Sequence, residues 1–188
     1  ELKKANIEVL MLTGDEPSAS LACAVKAGIT NNIPSKTHFL KRAVSGSLVW
    51  ESNEQVNRFS LGAVKSVERD VVSDGGTLVV SGDAVSTLLT ENNGGEASQY
   101  MKDRLLRHVS VVASASPKDK YEFVNWLKKK KHVLMCGDGV NDIAAMTKAD
   151  TSAAMLSGFN AHSVQSDSKD FEDARRKERL KKRRIGSN

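Results

Sequence analysis

His132-Val-Leu-Met-Cys-Gly-Asp-Gly-Val-Asn-Asp142 decides how this chain reads. Val133 to Cys136 is a short apolar run of strand length. Gly137-Asp138-Gly139 is a sharp turn with a carboxylate at its tip. Asn141 and Asp142 follow, and Ile143 to Lys148 reads as helix. Two acids and an amide thus crowd the carboxyl end of a strand, the edge at which parallel α/β sheets bind ligands. Paired carboxylates suit Mg²⁺, a hard cation that takes oxygen ligands and shares them with phosphate. A plain polar turn, with Gly for its backbone and Asp for capping, explains two or three of these residues but not all of Gly-Asp-Gly-x-Asn-Asp.

Upstream, the same layout recurs twice. Val109 to Ala113 is a strand, Ser114-Ala-Ser116 a turn, and Pro117-Lys-Asp-Lys120 opens a helix to about Lys130. Lys128 to Lys131 close that helix, where positive charge offsets the dipole by ~0.3–1 kcal/mol each. Lys120 sits near the helix start, where the dipole disfavours a cation. From there it can reach over the carboxyl edge of the sheet. Further upstream, Glu8 to Leu12 is a strand, Thr13-Gly14-Asp15 a polar turn, and Pro17 starts a helix. Leu21, Ala24, Val25 and Gly28 fall on one face of that helix at i, i+3, i+4, i+7.

Between these units the sequence is less informative. Thr37 to Leu40, Ser47 to Trp50 and Thr77 to Val80 read as strands. Asp83 caps a helix through Thr90, and Met101 to His108 reads as helix. Asn53 to Glu68 shows no clean period. His38 and His108 have no metal-spaced partners and read as structural. After the opening stretch, Ser152 to Leu156 is a last short strand.

Composition bounds the rest. A chain of 188 residues with 39% hydrophobic and 5% aromatic residues fits an α/β core of small aliphatics. Cys23 and Cys136 lie in apolar segments without CxxC spacing and read as reduced core thiols, hence a cytosolic setting. The formal charge is +5, yet residues 167–188 hold nine Lys/Arg against five Asp/Glu, so the tail accounts for +4 of it. Residues 157–188 read as a basic, disordered linker or solvated helix. The basic run Arg175–Arg184 has no interleaved aromatics, which argues against nucleic acid as a partner. Neither a signal peptide nor a span of ~20 apolar residues is visible. The sequence opens without Met and almost at once in a strand, as expected of a piece of a longer protein.

Three turns, Thr13-Gly14-Asp15, Pro117-x-x-Lys120 and Gly137-Asp138-Gly139-x-Asn141-Asp142, each follow a strand and precede a helix. In one parallel sheet all three project from the same edge. A hydroxyl, an amine and two carboxylates converging there are what phosphoryl transfer requires. Met11-Leu-Thr-Gly-Asp15, Pro117-Lys-Asp-Lys120 and Met135-Cys-Gly-Asp-Gly-Val-Asn-Asp142 together resemble the phosphorylation domain of P-type ATPases, a haloacid-dehalogenase-type fold. The resemblance spans about residues 5 to 156. It implies a Rossmann-like parallel sheet, here the second half of that domain over 1–156. It also implies Mg²⁺ and ATP as cofactor and substrate. Thr13, Gly14, Asp15, Lys120 and Asn141 match nucleotide- or phosphate-contacting positions, with Lys120 and Thr13 acting in catalysis. Asp138 and Asp142 match the magnesium positions.

Within the family, Thr77-Leu-Val-Val-Ser-Gly-Asp83 and the phrase Val133 to Asp142 followed by Lys148-Ala-Asp150 look most like the endoplasmic-reticulum (A) branch of type V. That branch implies a parent in the endoplasmic-reticulum membrane with this segment on the cytosolic side, acting on cations or on mis-inserted transmembrane helices. Two departures stand out. Glu16 follows Thr-Gly-Asp where the family has Asn. The phosphorylated aspartate of an Asp-Lys-Thr-Gly-Thr motif is not in these residues, nor are the nucleotide-binding, actuator and membrane domains. The chain is therefore expected to be inert alone and to need that remainder as its partner. The alternatives are a stand-alone dehalogenase-type phosphatase, for which no Asp-x-Asp precedes Thr13, and a non-enzymatic module whose basic tail holds nucleic acid or lipid.

Overall fold

The computed structural model describes residues 2–31, 33–52, 55–90 and 95–155. All elements below lie in the first of two units, Glu1–Ala154. The tail expected at 157–188, and the end of the strand expected to reach Leu156, lie outside the described residues.

In chain order the elements are β1 (Met11–Leu12), α1 (Pro17–Lys26), β2 (Thr37–Arg42), β3 (Leu48–Ser52), β4 (Gln55–Arg58), α2 (Leu61–Glu68), β5 (Thr77–Ser81), α3 (Gly82–Thr90), α4 (Gly95–Tyr100), β6 (Val111–Ala113), α5 (Pro117–Lys128), β7 (Leu134–Gly137), α6 (Ile143–Met146) and β8 (Thr151–Ala154). Six strands form one sheet in the order β1-β6-β5-β2-β3-β4. From β1 to β2 neighbours are parallel; the β2–β3 and β3–β4 pairs are antiparallel. β7 and β8 form a separate parallel pair. The fold is α/β with a predominantly parallel sheet, as the strand–turn–helix repeats predict.

Strand alternation sorts the core into two layers. On one face Val79, Val111 and Ala113 pack with Leu21 and Ala24 of α1. On the other, Leu78, Val80 and Val112 pack with Val64 of α2, Val85 and Leu88 of α3, and Phe123 of α5. β5 is buried at all five positions, as befits a central strand covered on both faces. Each fully buried aliphatic side chain here stabilises by ~1.5–3 kcal/mol relative to exposure.

Three expectations need correction. First, the turns do not all leave one continuous sheet. β1 pairs only with β6 and β7 only with β8, so among the described residues both keep one open edge. The two edges are held near each other nonetheless. Leu12 and Val133 both pack against the small cluster Val124, Met135 and Ala145, and Lys131 pairs with Glu8. Second, Cys23 and Cys136 are free but exposed, not core thiols. On α1 the inward positions are Pro17, Ser20, Leu21 and Ala24. On β7 alternation turns Met135 and Gly137 inward and Cys136 out. Third, the stretch without a clean period holds β4 and α2. Ser60 caps α2 by accepting from the Ala63 N–H at 3.3 Å. The helix expected over Met101–His108 is a π turn followed by a 3₁₀ turn.

His38 is buried with its Nε2 2.9 Å from Asp70 Oδ2, which fits a structural role.

Candidate active site

The site grows from three turns. After β1, Thr13 closes on itself. Its hydroxyl donates to Asp15 Oδ2 at 3.1 Å and accepts from the Asp15 N–H at 3.2 Å. Glu16 then caps α1, its Oε2 accepting from the N–H groups of Ser18 and Ala19 at 3.0 and 3.2 Å. Those two backbone bonds hold the Glu16 carboxyl below its usual range. The departure at Glu16 is thus spent on the helix terminus. Because its folded value is depressed, its stabilisation is full above the unfolded value and is lost as pH falls through the folded one.

The second turn is tied to the first through the backbone. Ala115 N–H donates to Thr13 O at 2.9 Å and Ser114 N–H to Asp15 O at 2.7 Å. Ser114 takes the left-handed region with φ 49°, which bends the chain from β6 into α5. Ser116 caps α5 in a reciprocal box with Asp119. Asp119 Oδ2 accepts from Ser116 N–H at 2.9 Å and Ser116 Oγ at 2.7 Å, and the Ser86 hydroxyl lies against its other oxygen. Burial pushes the Asp119 carboxyl up, but the hydroxyls of Ser86 and Ser116 and the Ser116 N–H outweigh it and hold the group below its usual range. Asp119→Ala is expected to cost about 1 kcal/mol at neutral pH. By the same sign rule as for Glu16, the gap to the parent chain should close as acid protonates Asp119. Urea midpoints at the two pH values check this.

The third turn meets the second inside the protein. Lys120 leaves α5 with 7% exposure and places Nζ 2.7 Å from Oδ1 of Asp142, itself 9% exposed. Asp142 sits where a 3₁₀ turn, Val140–Asp142, enters α6, and its N–H donates to Gly139 O at 3.0 Å. Gly137 has no room for a side chain. A Cβ there would lie 2.7 Å from Asp142 Cβ and 2.8 Å from Met146 Sδ. Gly137→Ala is therefore expected to cost about 1–3 kcal/mol, since the Asp142 backbone must move to accept it. Thermal unfolding of that variant reads the cost directly. Asp138 and Asn141 are exposed at the tip.

Lys120 and Asp142 thus form a buried cation–carboxylate pair, and Asp138 and Asn141 are exposed at the turn that leads to it. The endoplasmic reticulum transmembrane helix translocase of Saccharomyces cerevisiae is 30% identical over 162 residues, covering 84% of this chain and 12% of that protein. Its counterpart from Aspergillus fumigatus is 28% identical over 159 residues, with the same coverage. A calcium-transporting ATPase of Listeria monocytogenes is 47% identical over 57 residues, 30% of this chain. The chain belongs to the P-type ATPases. No family model matches it. It spans 12% of the length of the translocases.

As part of a P-type ATPase, the chain brings Lys120 and Asp142 into direct contact. It ties the Thr13–Asp15 turn by two backbone bonds to the turn that launches α5. Asp138 and Asn141 are exposed, whereas that pair is buried. No group of three or more His, Cys, Asp or Glu side chains among the described residues is arranged to hold a metal alone. Sequence reading missed Asp119 and Ser116. The spacing Ser116-x-x-Asp119 ahead of an apolar face was the available signal. Among the described residues no helix is long and apolar enough to cross a membrane.

Proposed function

We propose that this chain is the second half of the phosphorylation domain of a type V, A-branch ATPase of the endoplasmic-reticulum membrane, lying on its cytosolic side. The parent would couple hydrolysis of Mg-ATP, through an aspartyl phosphate, to movement of cations across the membrane or of transmembrane helices out of it. The buried Lys120–Asp142 pair carries this reading. It would set a cation and a carboxylate near the Thr13 turn, which is tied by backbone bonds to the turn that launches α5.

Each residue has a part within the chain. The Thr13 hydroxyl, once its proton turns from Asp15 Oδ2 to the ligand, and the Gly14 N–H would hold phosphate oxygens, with Asp15 contacting the nucleotide. Lys120 would offset charge on the transferring group. Asn141 would orient the phosphate. Asp138 and Asp142 would hold Mg²⁺, which when bound draws charge off the phosphate oxygens.

The open edges of β1 and β7 support a second element of the proposal. A parallel strand supplied by polypeptide outside these residues would fit between them, bonding to both and bringing the phosphorylated aspartate to the Thr13–Lys120–Asp142 edge. Alone, the chain would transfer no phosphate. The test is co-expression of this chain with the upstream segment of its reading frame. The two should co-purify as a stable pair, and amides of Leu12 and Leu134 should gain protection from hydrogen exchange. Protection unchanged at both strands would refute the shared-strand arrangement.

A further inference from the structure

The place of the Lys120 amine depends on where α5 begins, and that beginning is held from outside the helix. The N–H groups of a helix's first turn have no partners within it. Pro117 has no N–H, and the N–H of Asp119 goes to Ser116 Oγ at 3.2 Å. The Asp119 carboxylate then reaches in two directions. Its Oδ2 accepts from the N–H and the hydroxyl of Ser116, which closes the cap. Its Oδ1 accepts from the hydroxyl of Ser86, which belongs to α3. A cap needs only the first of these oxygens. The second ties the start of α5 to another helix.

Helix α3 is a firm anchor for that tie. Its first residue, Gly82, lies so close to the turn before α5 that a Cβ there would be 2.6 Å from Ala115 Cα and 2.9 Å from Asp119 Oδ2. Val85 and Leu88 of α3 share one core with Phe123 and Leu127 of α5. Ala115 also donates its N–H to Thr13 O at 2.9 Å. The start of α3, the Thr13 turn and the start of α5 therefore meet around Ala115. The next residue after Asp119 is Lys120, buried and 2.7 Å from Asp142. Any shift of the first turn of α5 is passed on to that amine.

We propose that Asp119 is a positioning residue for phosphoryl transfer: bound to Ser86 of α3 on one side and to Ser116 on the other, it sets where the Lys120 amine stands. The inference rests on the phosphoryl-transfer reading above and gives Asp119 no contact with the nucleotide.

Phosphoenzyme formation in the ATPase that contains this chain tests it, followed as the rate at saturating Mg-ATP and as the KM for ATP. Asp119→Ala should slow the step about tenfold with KM little changed, as expected when a reacting group is slightly displaced. Ser86→Ala should slow it less, because Ser116 still holds the carboxylate. Asp119→Asn should restore most of the rate. Its amide oxygen can accept from Ser116 and its NH₂ can donate to Ser86 Oγ, whose proton is then free for Glu122 Oε2, 3.1 Å away. Glu16→Ala removes a cap from α1 and should leave both constants as in the parent. A parental rate in Asp119→Ala, with Lys120→Met inactive, overturns the proposal and leaves the phosphoryl-transfer reading in place. So does a parental rate in Ser86→Ala, which decides the matter even if Asp119→Ala fails to fold. Asp119→Asn as slow as Asp119→Ala overturns it too, since the charge and not the pair of contacts would then matter. Equal slowing by Glu16→Ala reduces the effect to loss of a cap. Undiminished labelling in Lys120→Met removes the phosphoryl-transfer reading, and the proposal with it.

Discussion

Lys120→Met is expected to destabilise the chain by about 3–5 kcal/mol, because it strands the Asp142 carboxylate in a buried position without its cation. The two groups are 2.7 Å apart and both nearly inaccessible to water. Asp142→Leu should cost a similar amount for the mirror reason. The double change Lys120→Met with Asp142→Leu should cost much less than the sum, since an apolar pair of similar volume removes both desolvation penalties. Urea unfolding of the four proteins gives the coupling. A loss below about 1 kcal/mol for Lys120→Met would place the pair in the class of solvated surface bridges instead.

In the ATPase that contains this chain, the same pair should govern turnover. Asp142→Asn keeps the shape of the side chain and removes its charge. It is expected to slow Mg²⁺-dependent ATP hydrolysis by about 10²–10³-fold, the scale found when one preorganised electrostatic partner of a reacting group is lost. Glu16→Ala is the internal control. Its carboxylate binds the N–H groups of Ser18 and Ala19, so its loss should lower thermal stability and leave turnover near that of the parent. A steady-state ATPase assay on both variants separates the two roles. Equal turnover in Asp142→Asn and the parent would remove Asp142 from the chemistry.

Much of this was legible from residues 8–28 and 109–150. In those segments each strand is a short apolar run, each turn has Gly, Ser or Asp in place, and Pro17 and Pro117 open helices α1 and α5. Local signals and tertiary structure agree there, and the parallel units follow. Burial of Lys120 was not readable, since one lysine in a helix's first turn is compatible with either solvent or a partner. Only the packing of α5 on α6 puts Asp142 within its reach. The exposure of Cys23 and Cys136 was likewise hidden. An apolar run of four or five residues does not say which of its alternating faces is covered, and β7 has a covering helix on one face only of those described. The region around α2 was missed for another reason. Ser60 followed by Leu61, Val64 and Val67 is a cap and an apolar stripe, but β4 ahead of it is exposed at all four positions and so carries no apolar pattern of its own. Nor could the placement of β1 and β7 in separate sheets be seen in sequence, because strand order is a property of the packed sheet.

The most direct test of the central claim is phosphoenzyme formation from γ-phosphate-labelled ATP and Mg²⁺. It compares this chain alone, the ATPase that contains it, and that ATPase with Lys120→Met. The account predicts a hydroxylamine-sensitive acyl phosphate in the intact ATPase only. None should form on the isolated chain, and the Lys120→Met variant should label far more slowly. Labelling of the isolated chain, or undiminished labelling of the variant, would contradict it.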